Sequence, residues 1–393
     1  MAYPKVILSA DQIQRIRDSA LKAIAPLKPP DQAARIAFGK RTKAGQKLPP
    51  YYLVYFLLVD LLNFGHGGRW EKVAWTIPVD YEGKLALVEH RKFGLGVFSA
   101  ATPDDELAAE GIVRAVERGV KAATPFFDHL AAKAIEGSRL NVNNNSAWLF
   151  CRYEYLRDQF RERVAAEEAR KNEVQKVEEM LPNGTKITHY SVIKFVIRRE
   201  AAWLGIAAID AFFSWTEHAL IHIAILRGKL KTGDEVASLA AADWTEKIKT
   251  AIGFADPEFK SLYDELLAVR RQVRNYMAHG AFGKSGEAFR FHSGAGAVPV
   301  NLTDLQGRDN FSMESGPSFD EAAAIETAES FIEKLWEGSL APAKVLIQEA
   351  SLPIILTHAN DGTYQRAMRS VEEMESFVEA ETRAMDNAVN MDW

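Results

Sequence analysis

Cysteine is almost missing from this sequence: Cys151 is the single one in 393 residues. That excludes an intramolecular disulfide framework and any Cys-rich zinc or iron–sulfur site, and it fits a reducing, cytoplasmic setting. Long uninterrupted apolar runs are missing too. The run 51–62 (YYLVYFLLVDLL) is too short to cross a bilayer, and Asp60 interrupts it. The run 201–226 is long enough, but Asp210, Glu217, His218 and His222 lie inside it. Ionised groups are expensive in lipid, so it reads as a buried helix of a soluble domain, and no membrane partner is expected. The opening MAYPKVILSADQ lacks the pattern of a secretory signal. No repeat or low-complexity segment stands out. The glycines at 65–68 and 94–96 lack both the strand–GxGxxG–helix setting and the Walker lysine, so no nucleotide loop and no cofactor is expected.

Strong charge of one sign is also lacking over the whole chain, where the net value is −5. It is unevenly spread: residues 1–150 carry +5 and residues 281–393 carry −11. A nucleic-acid partner therefore has to be drawn by local basic surface; nothing indicates DNA in particular. Residues 39–47 (GKRTKAGQK), followed by Tyr51, Tyr52 and Tyr55, are one such place. Basic residues beside aromatics suit single-stranded RNA, but a solvated loop leading into a core helix accounts for them better.

What is present is mainly helical patterning. Residues 7–25 read as a helix capped by Ser9, and 51–63 as an apolar helix after Pro49-Pro50. Residues 72–79 and 84–98 read as two strands across a turn at 80–83, and 104–136 as helix. The asparagines of 141–145 mark a boundary. Beyond it, 148–180 reads as one long charge-laced helix, with further helices at 188–227, 261–279, 319–336 and 364–387. The expected fold is mainly α: an α+β unit over 1–140, a linker and long helix over 141–185, a helical domain over 186–345 with a β-hairpin insertion at 287–302, and an acidic helical tail over 346–393.

Chemistry is concentrated in 270–280, RRQVRNYMAHG, whose core is Arg274-Asn275-x-x-x-His279. On this motif and on the preceding long helix, AIDAFFSWTEHALIHIAIL at 208–226, the chain resembles the HEPN superfamily of small helical bundles known from RNA-cleaving toxins and defence systems. The resemblance covers about 186–340 and says little of 1–150. It implies that Arg274 and His279 form a catalytic pair with Asn275 as the polar residue after the arginine. It also implies metal-free RNA cleavage to a cyclic phosphate, with two motifs meeting in a homodimer. A toxin or antiviral-defence role, with an antitoxin or regulatory partner, follows from the same resemblance. The alternative is a non-catalytic HEPN-like module binding nucleotide, RNA or protein.

The residue types suit that chemistry. Arginine stays charged and grips phosphate bidentately; histidine moves protons near neutrality. Asn275 and His279, four apart, share a helical face. Arg274 lies about 140° from His279 around an ideal helix, so the pair meets only if the helix loosens near Gly280 or a second subunit closes the site. Asp210, Ser214 and Glu217 make one polar stripe on an apolar helix, and Arg270 or Arg274 are the expected partners of its carboxylates. His218 and His222 sit one turn apart with no third ligand evident, so a packed pair is expected and no metal site. Cys151, beside Trp148 and Tyr155, reads as a core residue.

Overall fold

The structure is a computed structural model describing residues 6–30, 39–180, 182, 184, 186–279, 290–291, 300–301 and 320–393. It is mainly helical with a small antiparallel sheet, and it divides into one unit of residues 1–140 with 377–393 and a second of 141–376.

In the first unit α1 (Ala10–Ile24) starts at Ser9, whose side chain accepts from Gln12 N–H while Gln12 returns a bond to the Ser9 amide. This reciprocal cap satisfies two amide donors that a helix start leaves open. The strands are β1 (Leu27–Lys28), β2 (Lys40–Arg41), β3 (Val73–Tyr81), β4 (Lys84–Arg91) and β5 (Gly94–Ser99), in the order β1-β3-β4-β5-β2, all antiparallel. Ile77, Val88 and Val97 face one another across three strands and are buried. Between β3 and β4, Glu82 and Gly83 both take positive φ, 52° and 80°, and Asp80 accepts from the Gly83 amide at 2.7 Å. The single strand expected over 84–98 is two, β4 and β5, reversing at Lys92-Phe93 with Gly94 at φ 104°.

Between the sheet's strands in sequence, α2 (Tyr51–Tyr55) runs into a π-helical turn over Phe56–Leu61 that buries Leu57, Leu58 and Leu61. The helix expected over 104–136 is likewise two, α3 (Pro103–Ala122) and α4 (Thr124–Glu136), separated at Ala123 because Pro125 enters the first turn of the second. Ala109, Ile112, Ala115 and Val116 of α3 join the core. A Cβ on Gly111 would stand 2.3 Å from the Tyr81 ring, so only glycine allows α3 so close to β3. Residues 390–393 close this unit: Lys72 N–H donates to Met391 O at 3.2 Å, Trp393 Nε1 donates to Val73 O at 3.1 Å, and Arg69 lies 4.4 Å from the Trp393 ring.

The second unit opens with β6 (Asn141–Val142) and α5 (Ser146–Ala169). The long helix expected over 148–180 stops at Ala169, and β7 (Val174–Met180) pairs with β8 (Lys186–Val192) in register Val177 to His189. The β-branched Val174, Val177, Ile187, Thr188 and Val192 favour strand over helix. α6 (Ile193–Leu226) therefore begins five residues later than the expected 188. It runs antiparallel to α5, as the contacts Arg152–Asp210 and Arg163–Glu200 show. The remaining elements are α7 (Gly233–Ala241), α8 (Trp244–Ala251), α9 (Pro257–His279), the pair β9 (Arg290–Phe291) and β10 (Val300–Asn301), α10 (Glu321–Leu335), α11 (Ala341–Lys344), β11 (Ile354–Ile355), α12 (Leu356–Asn360), α13 (Thr363–Ala367) and α14 (Val371–Asn390).

Residues 346–393 are thus no single tail. β11 pairs with β6, and α14 starts in the second unit and ends in the first. The core of the second unit is aromatic: Tyr153, Phe212, Trp215, Trp244 and Phe331 are buried, with Phe212 and Phe331 edge to face at 5.7 Å. Trp215 Nε1 donates to Ser146 Oγ and Gln348 Oε1, satisfying its buried polar end. Among the described residues no helix is long and apolar enough to cross a membrane.

Candidate functional site

Two helices build the site. α9 is capped by Asp256, whose carboxylate accepts from the Glu258 amide at 2.9 Å, and it buries Phe259, Tyr263, Leu266 and Val273. That register leaves Arg270 and Arg274 beside the buried stripe. Facing them, the expected polar stripe of α6 exists: Asp210, Ser214 and Glu217 line a cleft of about 550 Å³ with Phe213, Arg270, Val273 and Arg274.

Glu217 is its anchor. Oε2 accepts from Lys247 Nζ at 2.6 Å and Oε1 from Arg270. Burial pushes this carboxyl up, but the hydrogen bonds from Lys247 and Arg270 and their charges outweigh it and hold it below the ordinary carboxylate range. Lys247 was not among the residues singled out by sequence, and it is only 3% exposed. A signal existed: Lys247 lies within the stretch of α8 that buries Trp244, Ile248 and Ala251, and a lysine there needs a carboxylate. The Arg270 guanidinium lies 5.2 Å from the Phe213 ring and 5.6 Å from the Trp244 ring. Its Nη1 is buried without a hydrogen-bond partner among the described residues. Trp244 is itself held by Thr216, at 3.0 Å, and stacked on Tyr263.

Asp210 is exposed and stands 4.0 Å from Arg152 of α5. Arg274 is exposed at the cleft. Asn275 and His279 belong to α9, but their side chains lie outside the described residues. The α9 backbone stays helical through His279, so positions 274 and 279 are separated by about 140° around it.

His218 and His222 are packed together, their rings 4.3 Å apart. His222 is buried between the carbonyls of His218, 2.8 Å from Nδ1, and Asn143, 3.2 Å from Nε2; His218 Nε2 accepts from the Asn145 amide at 2.9 Å. Burial, and then the neighbouring His222, push His218 down to about 4. No group of three or more His, Cys, Asp or Glu is arranged to hold a metal among the described residues. Cys151 is exposed, which corrects its reading as a core residue: it lies on the same open side of α5 as Trp148 and Tyr155. The basic loop 39–47 is used structurally, since Glu106 accepts from the amides of Lys43 and Ala44 and Arg41 donates to the carbonyls of Phe93 and Leu95.

Comparison of the chain with protein-family models, with curated proteins and with solved structures returns no match.

Proposed function

We propose that the α6–α9 cleft belongs to a metal-independent endoribonuclease of HEPN type, active as a homodimer. The observation that carries this reading is the convergence of Arg270 and Arg274 with Asp210, Ser214 and Glu217 in one cleft, directly before a histidine on the same helix. Arg274 holds the scissile phosphate and stabilises the charge growing on its oxygens. His279 accepts the proton of the ribose 2′-OH as that oxygen attacks phosphorus, and a proton is returned to the departing 5′-oxygen. The P–O5′ bond breaks, leaving a 2′,3′-cyclic phosphate and a 5′-hydroxyl. Asn275, one turn before His279, orients the imidazole. Glu217 acts through Arg270, keeping the cationic wall in place.

Helix geometry supports the dimer. With α9 unbroken through position 279, the arginine and histidine positions of one chain diverge, so a second copy supplies the complementary half of each site. A toxin or antiviral-defence effector, restrained by an antitoxin or regulatory partner, is the role we infer for such an enzyme.

The test is incubation of the purified protein with total RNA in the presence of chelator, reading cyclic-phosphate ends. Cleavage by the native chain and none by R274A or H279A, both folded, is expected. RNA left intact by the native chain, or cut by both variants as well as by the native chain, overturns the reading.

A further inference from the structure

Beside the cleft, α5 and α6 hold large aromatic side chains out in solvent. Trp148 and Tyr155 of α5 are 71% and 65% exposed, and the exposed Arg152 stands between them in sequence. Phe195 and Trp203 of α6 are 55% and 59% exposed, and the Arg199 guanidinium lies 5.4 Å from the Trp203 ring centroid. Spacings of three and four place 148, 152 and 155 on one face of α5, and 195, 199 and 203 on one face of α6. The α6 stripe continues through Asp210 and Ser214 into the cleft, and the contact of Arg152 with Asp210 brings α5 to the same place. Aromatic and arginine alternate along both helices toward the site.

Exposed tryptophans grouped in this way mark a binding surface. The charge decides for what. The carboxylates beside them are occupied: Asp210 by Arg152, Glu154 by Arg157, Glu200 by Arg163. Among the described residues no carboxylate pairs with Arg199 or Arg274. A two-fold contact between copies would set this arginine-bearing face against itself, whereas a phosphate backbone complements it. Every nucleobase has a π-face to stack on an aromatic ring, and a duplex hides those faces. Trp148 and Tyr155 stand about 10 Å apart along the helix axis, with an arginine between them for the backbone.

We propose that this face is the track by which single-stranded RNA reaches the cleft, its bases stacking on Trp203, Tyr155 and Trp148 and its phosphates running past Arg199 and Arg152 to Arg274. The proposal deepens the nuclease reading and rests on it for the cleft, while its test reads binding alone. The probe is a fluorescent 2′-O-methylated single-stranded oligoadenylate, which lacks the attacking hydroxyl and stays intact on the full chain. W203A and Y155A should each weaken binding roughly 5- to 100-fold, with W203F retaining most of it. R199A should weaken it and lower the salt slope by about one. The substitutions lie on exposed helix faces, and circular dichroism checks that each variant is folded. A duplex of the same length should bind more weakly than the single strand. Unchanged affinity in the W203A/Y155A double variant overturns the track, and so does equal affinity for duplex. Conversion of a dimer to monomer by that double variant, in sedimentation without RNA, also overturns it and assigns the face to a second copy. Loss of binding in the variants of a chain that cleaves no RNA upholds the track and removes the nuclease reading alone.

Discussion

In the first unit Glu89 is 2% exposed and sits within a sheet, accepting from Thr76 Oγ1 at 3.0 Å and Arg91 Nε at 2.6 Å, with Arg91 laid 3.8 Å from the Phe98 ring. In the second unit Glu217 is about a third exposed and accepts from Lys247 and Arg270, with Arg270 laid over Phe213 and Trp244. The ingredients match: a carboxylate, an arginine, an aromatic floor. The surroundings differ. Arg91 and Glu89 are two residues apart on one strand and close upon each other. Glu217 and Arg270 are 53 residues apart on two helices, and their pair opens on a cleft that also holds Arg274. A local pair braces the strand it lies on; a pair joining two helices sets the spacing of whatever lies between them. Both pairs have the same chemistry, so what each faces, closed sheet or open cleft, decides what the pair does.

The largest expected effect tests that difference directly. R274A should lower RNA cleavage by about 100-fold or more, the usual cost of removing a charge that stabilises a transition state, and leave the melting temperature within a degree or so of native because Arg274 is exposed. K47A, an exposed cation of the first unit, should leave cleavage unchanged. Equal losses in both variants would reduce the site to nonspecific charge.

Next come the two carboxylates. E217Q leaves Lys247 and Arg270 facing a neutral amide. Breaking a fully buried pair costs about 3–5 kcal/mol; with Glu217 partly in solvent, about 2–3 kcal/mol is expected, together with loss of cleavage. E89Q should cost about 1–3 kcal/mol, the penalty of a buried group left short of a partner, and leave cleavage intact. Calorimetry and the cyclic-phosphate assay on the same two proteins separate the cases. If E89Q also silenced cleavage, the contrast between the units would fail. The pH sign follows from the Glu217 shift: its carboxyl lies below the ordinary range when folded, so the stability it contributes is present above the unfolded pKa and is lost as pH falls through the folded one.

Much of this was legible in sequence because the signals are local. Ser9, the expected cap of the first helix, forms a reciprocal cap with Gln12 three residues on. The stripe at 210, 214 and 217 follows from helical period alone. Signals that depend on distant partners were not legible. The stretch 174–180 is charged about as densely as the helix before it, and its pairing with 186–192 is what settles it as strand. Lys247 becomes part of the site through Glu217, 30 residues away. Cys151 has the aromatic neighbours Trp148 and Tyr155, which suggest a core, but both are themselves exposed and Cys151 is exposed with them.

A smaller effect probes how the first unit closes. Trp393 is 42% exposed, donates to Val73 O, and stacks under Arg69. Truncating a fully buried tryptophan costs about 3–5 kcal/mol; W393A should cost roughly half of that. It should also raise hydrogen exchange at the amides of Lys72 and Lys92, which are bonded within this corner. Native exchange at both amides in W393A would show that the corner holds without its indole.

The smallest effect belongs to His218, and its sign is opposite in cause to that of an ordinary surface histidine. Burial, and the adjacent His222, depress its pKa to about 4, so the folded imidazole stays neutral while the unfolded one takes up a proton near pH 6.5. Between those values the unfolded chain binds more protons, and stability rises with pH. Its contribution is intact above about pH 6.5 and drains away as pH falls toward 4. A shift of this size corresponds to about 3 kcal/mol if fully expressed; with the ring partly open to solvent, 1–2 kcal/mol is the reasonable expectation. The molecular reason is specific. Nε2 accepts from the Asn145 amide at 2.9 Å, and protonation turns that acceptor into a second donor facing the first. The start of α5 is therefore the place to look: the protection factor of the Asn145 amide, its exchange divided into the intrinsic rate at each pH, should fall on acidification in the native chain. H218Q, which retains an acceptor but cannot take the proton, should flatten that pH dependence between pH 6.5 and 4. The same loss of protection in native and H218Q proteins would mean that another group, not His218, senses the proton.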